Sequence, residues 1–514
     1  MELGQEEKQR ENQRKREQCL KSLISATQQL QASVNQDEIV KIADMIILAM
    51  TGQWRSFHTP EHIFEVGGSN GDAIEVLAAL FHDLVYVQVD QGININLSYY
   101  LADFIKQISD EELTIRERKE LPEDRIFDLV SDIFGFVPGQ KLSSKDKPPI
   151  GQNEFLSAVI AAQCLKPFLT ESQIAQIVIC VEATIPFRSQ LPSGLTAAEA
   201  LYLRVQETNT RYQLGWTESD MMEYVRRAIR LANRDVENFA FEESDAFLGN
   251  TWNLIPETNH ELLKINAYTV KGYRTSIQKM EGFMNFLKPE LVFQQFRGEP
   301  SDEQYHDLIR KTGKNLDVAK LYLGSKLLSI AVLEALSLWI GDEIPLSIVM
   351  GELPADEQDF EGIEPEAGNS PKPVAQQLKS YLPLLDNSYL PEGAIEREVF
   401  MLLDKGRSQD SSYDTKKSPV ATFIVKLIGF DQVKTLLPAA KEFFKQSKMA
   451  EDTQVKEKCS TESILTTKKR SAEEFLAKCD PIIIEAITDA MINLFESRQE
   501  SLRQAKKEIR VSST

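Results

Sequence analysis

The chain has 514 residues, 42% of them apolar, which is enough for more than one buried core. Against 58 basic residues stand 78 acidic ones, a net charge of −20; this excludes a general nucleic-acid binder, because phosphate contact along a polymer needs a basic surface. Five cysteines without a CxxC pair point to reduced thiols and a cytoplasmic protein.

In chain order, the first element expected is a charged helical extension over 1–19, dense in Glu, Gln, Lys and Arg from Glu2 to Gln18. It has no apolar run of the kind a signal peptide needs. From Leu20 to Met50, apolar residues recur at helical spacing (Leu20, Leu23, Ile24, Leu30, then Ile39, Ile42 and Ile46). Residues 72–87 form an almost wholly apolar run and read as a helix buried on most sides. The stretch 136–153 holds Pro138, Gly139, Pro148, Pro149 and Gly151 and reads as a loop. Helices follow over 156–168, 174–183 and 217–241, the last with Met221, Val225, Ala228, Ala232 and Phe239 on one stripe. No hairpin signal stands out. The apolar run Leu327–Ile340 contains Glu334 and falls short of the roughly 20 residues a bilayer span needs, so it reads as a core helix and no membrane partner is expected.

Residues 351–375 are acidic and proline-rich, a composition suited to a linker. The expectation is therefore an all-α protein: a main helical domain over 20–350, a linker over 351–375, and a second, smaller helical domain over 376–514 with an unidentified protein partner. Polar segments at 406–418 and 446–467 are expected to interrupt that last domain.

Three of the five histidines lie close together. They stand in Phe57-His58-Thr59-Pro60-Glu61-His62-Ile63 and in Leu80-Phe81-His82-Asp83-Leu84-Val85-Tyr86. His58 and His62 are four apart, one helix face, although two solvated histidines would give the same spacing. His82 and Asp83 interrupt an apolar run, and burying both is costly without compensation. A divalent cation compensates, and mixed imidazole and carboxylate donors do not select one metal. A further ligand must come from elsewhere. Asp235 suits this, because it shares a helix face with Ala228, Ala232 and Phe239; a buried Asp paired with an arginine is the alternative.

The pattern His…His-Asp…Asp, with the extra HxxxH, resembles the HD superfamily of metal-dependent phosphohydrolases. Residues 55–63 resemble an R-x-Y-H-N-x-x-H signature and residues 81–86 resemble F-H-D-x-V-Y; the first is also similar to the catalytic domain of cyclic-nucleotide phosphodiesterases. The resemblance implies an HD-type helical bundle within 20–350, with His62, His82, Asp83 and Asp235 as ligands of a divalent ion (Mn, Mg, Zn or Fe). It implies His58 and Asp83 as catalytic residues, His58 being the acid that protonates the leaving oxygen. It further implies that Arg55 orients the loop or contacts phosphate, that Asn94 and Thr184 lie by the substrate, and that Glu182 is a carboxylate behind an imidazole, though a structural ion pair would equally explain Glu182. The expected activity is hydrolysis of a small phosphate ester, a nucleotide or phosphodiester, by a metal-activated water. Ile95 stands where an N-E-x-x-S element would carry Glu, and there is no G-Y-P motif. A module that binds metal or nucleotide without turnover and regulates a partner through the C-terminal helices is the alternative. An interaction scaffold with merely structural histidines is the other rival, and it predicts no bound metal.

Overall fold

A computed structural model describes residues 2–68, 71–109, 112–142, 151–263, 269–340, 378–385, 389–411, 413–457 and 461–511. The expected linker over 351–375 lies outside them. The fold is all-α. Packing divides the chain into two units, one built from 1–242 and 287–313, the other from 243–286 and 314–514. The division thus falls earlier than the expected boundary near 350, because the helices between 243 and 286 pack with the C-terminal helices rather than with the first bundle.

The first unit opens with α1 (Glu2–Gln29) and α2 (Gln36–Met50). The charged extension is therefore no separate element: it continues into the apolar half of α1, where Cys19 and Leu23 are buried. The helical pattern across 20–50 is broken at 30–35, where Asn35 caps α2 by accepting from the Asp37 N–H. Two short helices follow, α3 (Pro60–Gly67) and α4 (Ala73–Phe81). Pro60 takes the first position of α3, where its missing N–H is no loss. Asp72 caps α4 by accepting from the Ile74 and Glu75 N–H groups. Then come α5 (Val87–Asp90), α6 (Ile95–Leu101), a hairpin of β1 (Ile105–Ser109) and β2 (Glu112–Ile115), and α7 (Arg125–Phe134). The antiparallel hairpin corrects the expectation of none; its turn sequence, Ser-Asp-Glu-Glu, carries no Asn-Gly signal.

The centre of this unit is α8 (Gln152–Leu165) and α9 (Glu171–Ala183), buried nearly all round. Their apolar stretches 158–161 and 177–181 match a helix with no solvent face. Around them lie α10 (Ala197–Tyr212) and α11 (Glu218–Asp235). Reciprocal side-chain caps start α9, α10 and α11 at Thr170, Thr196 and Thr217. The expected helix to 241 ends sooner: Asp235 is the last residue of α11, and Phe239 belongs to a separate 3-10 turn.

The second unit holds α12 (Ser244–Thr258) and α13 (Val270–Phe286). After the short α14 (Pro289–Val292) in the first unit, α15 (Asp302–Ile340) is one continuous helix, longer than the apolar run that announced it. Among the described residues it is the one helix long and apolar enough to cross a membrane, and its apolar window is 94% buried within the protein. The helices Ala394–Lys405, Pro419–Glu457, Thr461–Leu476 and Pro481–Val511 complete this unit. All described residues of the polar segment expected at 446–467 are helical, whereas described residues of 406–418 are not. The four described cysteines are free thiols, all buried.

Candidate metal centre

Four side chains from three places in the sequence meet in the first unit. His62 lies on α3, His82 and Asp83 follow α4, and Asp235 ends α11. His62 Nε2 is 3.3 Å from Asp83 Oδ2 and 3.0 Å from Asp235 Oδ1. His82 Nε2 is 3.1 Å and 3.3 Å from the same two atoms. One donor atom from each residue lies within 4.8 Å of the other three, so a single ion at their centre is within reach of all four.

Local structure aims these groups. His82 Nδ1 donates to Ala79 O at 2.8 Å, which turns Nε2 toward the cluster, 3.3 Å from Asp235 Oδ1. His62 Nε2 is buried yet makes no hydrogen bond of acceptable geometry, despite the carboxylate 3.0 Å away. A buried imidazole nitrogen that faces two carboxylates is suited to share a cation with them. The two-nitrogen, two-oxygen set fits a divalent ion and does not choose among the first-row metals.

Electrostatics agree. Burial by itself pushes imidazoles down, but the carboxylates of Asp235 and Asp83 outweigh it and raise His62 to about 9. His82 is raised well above its ordinary value in the same way. Burial pushes the carboxylates up, but the imidazoles reverse that too: His82 foremost holds Asp235 down at about 2 and, with His58, Asp83 well below the usual range. Without metal, protons on the imidazoles stand in for the cation.

The expected helical setting needs two corrections. His58 precedes Thr59, the N-cap of α3, so His58 and His62 share no helix face. They still meet edge to face, ring centroids 5.7 Å apart, with His58 also 4.7 Å from the Tyr86 ring. Likewise α4 ends at Phe81, so His82 caps it and Asp83 lies beyond. Side chains replace the helical partners there. Arg55 donates to Asp83 O at 2.7 Å and Leu84 O at 3.1 Å, while Ser157 Oγ and Asn153 Oδ1 accept the N–H groups of Val85 and Val87.

Four residues expected near the substrate or the imidazoles are otherwise engaged. The Arg55 side chain is 0% exposed and forks onto Asp90 at 2.7 and 3.1 Å, so it orients the loop and has no face left for phosphate. Asn94 Oδ1 caps α6 by accepting from Asn96 N–H. Thr184 is buried, its hydroxyl donating to Val181 O at 2.8 Å. Glu182 is held by Arg188 at 2.6 Å and by Arg204, so it is an ion-pair centre and orients no imidazole. His306 is exposed and His260 half-buried, and neither belongs to the cluster.

Sequence reasoning missed Glu154, on the first turn of α8. Burial, then the charges of Asp83 and Asp235, push its carboxyl up to about 7 against the pull of its own backbone N–H and Arg188. It lies just past the stretch 136–153 read as loop, and no motif marks it. Comparison with family models, curated proteins and solved structures finds no match to this chain.

Proposed function

We propose that the chain is a metal-dependent hydrolase of small phosphate esters. The observation that carries this is the convergence of His62, His82, Asp83 and Asp235 on one point, with His62 Nε2 buried and lacking a hydrogen bond. The resemblance of the same residues to the HD pattern supports the reaction class. A divalent cation there would polarise both a water and a phosphoryl oxygen. The two imidazoles and two carboxylates hold it, Ala79 O fixes the His82 ring, and Arg55 fixes the turn that carries Asp83. His58, half-buried beside Tyr86, is the group positioned to protonate the leaving oxygen.

The test is hydrolysis of a generic phosphodiester and of nucleoside mono- and diphosphates with Mn²⁺, Mg²⁺, Zn²⁺ or Fe²⁺. His58→Ala should keep the metal and lose turnover by about 10²–10⁴-fold; Asp83→Ala should lose both. One observation favours a second reading. Arg55, Asn94 and Thr184 have their polar groups engaged internally, which suits a module that binds metal or nucleotide and signals without turnover. Tight nucleotide binding by the loaded protein, with no hydrolysis in the screen, would establish that reading in place of the first.

A further inference from the structure

The segment 83–90 carries both a ligand of the centre and the neighbour of its acid. The Asp83 carboxylate lies 3.3 Å from His62 Nε2 and 3.1 Å from His82 Nε2, and the Tyr86 ring lies 4.7 Å from the His58 ring. Little in the segment would hold this arrangement by itself. Its one helical turn, α5, is only 4 residues long, too short to persist alone in water. The turn stops at Gln91, a non-glycine residue in the left-handed region with φ 58°.

Asp90 ends that turn, where a carboxylate has the wrong sign, because the free carbonyls of a helix C-terminus repel it. Its partner accounts for it. Asp90 accepts from Arg55 Nε at 3.1 Å and from Arg55 Nη2 at 2.7 Å, a charged fork on both carboxylate oxygens. The same guanidinium donates from Nη1 to Asp83 O at 2.7 Å and from Nη2 to Leu84 O at 3.1 Å. Arg55 thus grips the segment at both ends. Tyr86 is tied in between them, its carbonyl accepting the Asp90 N–H at 2.9 Å. Arg55 also stands just before His58 in the chain, so one side chain joins the stretch that carries the acid to the stretch that carries the ligand.

The pair is buried, with the Arg55 side chain 0% and the Asp90 side chain 17% exposed. A guanidinium keeps its charge there and needs an anion. Among the described residues Asp90 is the carboxylate paired with it; its other acceptors are the two carbonyls and Met50 Sδ at 3.1 Å. An Arg55 stripped of Asp90 has to leave its place or draw in water, and either releases the carbonyls of Asp83 and Leu84. Ser157 and Asn153 cannot replace it, because they hold the N–H groups of Val85 and Val87 instead.

Resting on the hydrolase reading above, we infer that Asp90 is a positioning residue of this centre, which through Arg55 sets Asp83 toward the metal and Tyr86 against His58. It acts on alignment and not on the reacting atoms. Its loss therefore weakens the metal site and slows turnover without changing substrate binding in proportion.

The test uses the full chain with Asp90→Asn, which keeps the size and removes the charge, and Asp90→Glu, which keeps the charge. Mn²⁺ affinity is read by calorimetry, ligand geometry by the visible spectrum of Co²⁺-loaded protein, and kcat and KM on a generic phosphodiester, all well below each variant's unfolding temperature. Asp90→Asn should bind Mn²⁺ about 10–100-fold more weakly and shift the Co²⁺ bands. At saturating Mn²⁺ it should lower kcat by about 10–100-fold, with KM within about twofold of wild type. Asp90→Glu should recover most of both losses. An Asp90→Asn variant that merely melts earlier, with wild-type Mn²⁺ affinity, Co²⁺ spectrum and kcat, overturns the inference and leaves a structural ion pair. Should Asp90→Asn not fold, Arg55→Lys decides. It keeps the charge but loses the fork that reaches both ends of the segment, so it should show the same losses, and wild-type values in it overturn the inference. Wild-type protein that binds both metals yet hydrolyses nothing overturns the hydrolase reading, while affinity and spectrum still judge Asp90.

Discussion

His62 and Asp235 are the residues on which the account turns first. Each contributes one atom to the cluster, and their pairing is 3.0 Å long. Replacing either by Ala should lower metal affinity by at least about 100-fold, since changes to supporting groups alone cost 10–100-fold; calorimetric titration with Mn²⁺ checks this. Glu182→Gln should instead leave metal affinity within a fewfold while lowering thermal stability, because it leaves two arginines facing a lost carboxylate. The metal-free protein should also show a pH signature. His62 rises from 6.5 to about 9 on folding, so its contribution is complete below about pH 6.5 and is lost as pH climbs through 9. Asp235 falls from 3.8 to about 2, so its contribution holds above 3.8 and is lost as pH drops through 2. The apo protein should therefore melt at its highest temperature between roughly pH 4 and 6.5, and metal affinity should rise with pH across the His62 range as protons leave the imidazoles. A melting temperature flat from pH 6 to 9 in the apo protein would contradict the assigned pairing. At this scale the meeting of His62, His82, Asp83 and Asp235 was legible in the sequence, because charged and imidazole groups in apolar runs need partners. The fates of Arg55, Asn94, Thr184 and Glu182 were not, because each depends on a neighbour from a distant segment or on a local cap that no spacing reveals.

At the scale of elements, the site depends on where helices stop. A continuous helix across 72–87 was the natural reading of an apolar run, yet α4 ends at Phe81. The cause lies outside the run, in Arg55 on the carbonyls of Asp83 and Leu84 and in Ser157 on the Val85 N–H. Likewise Pro60 sets the start of α3 and so removes His58 from it, a signal that was present in the sequence and is decisive once read as an N1 proline. Ser157→Ala tests this level. Ser157 is fully buried, so the change orphans the Val85 N–H and should cost about 1–3 kcal/mol in denaturant unfolding. Because the turn carrying Asp83 is loosened, metal affinity should fall as well, though less than in Asp235→Ala. An unfolding midpoint equal to wild type would mean that water replaces the serine and that the turn is held by Arg55 alone.

At the scale of the whole molecule, the two units carry different chemistry. The second is organised around a buried polar cluster. Asp414 Oδ2 accepts from Trp252 Nε1 at 2.9 Å, Tyr273 OH at 2.6 Å and Lys326 Nζ at 2.9 Å, with Arg407 at 3.5 Å. Arg407 also lies over the Trp252 ring at 4.1 Å. Nothing in the sequence pattern announced it, since its members are scattered from 252 to 414 and look like ordinary isolated residues. Asp414→Ala leaves two buried cations on one site and should cost about 3–5 kcal/mol, seen as earlier unfolding of the second unit, while metal affinity in the first unit stays within about twofold, because the two clusters share no residue. The all-α class was legible from helical spacing alone; the division of the chain at Glu242 was not, because α15 belongs by sequence to the stretch before the acidic segment and by packing largely to the helices after it. The central claim is that one divalent ion binds where His62, His82, Asp83 and Asp235 meet. X-ray absorption at the metal edge of Zn²⁺-loaded protein tests it most directly. The account predicts a single ion per chain with two imidazole nitrogens at about 2.0–2.1 Å among nitrogen and oxygen donors, and loss of that ion in Asp83→Ala. Wild-type protein that takes up no stoichiometric metal, or an ion whose spectrum contains no imidazole and survives Asp83→Ala, would contradict it.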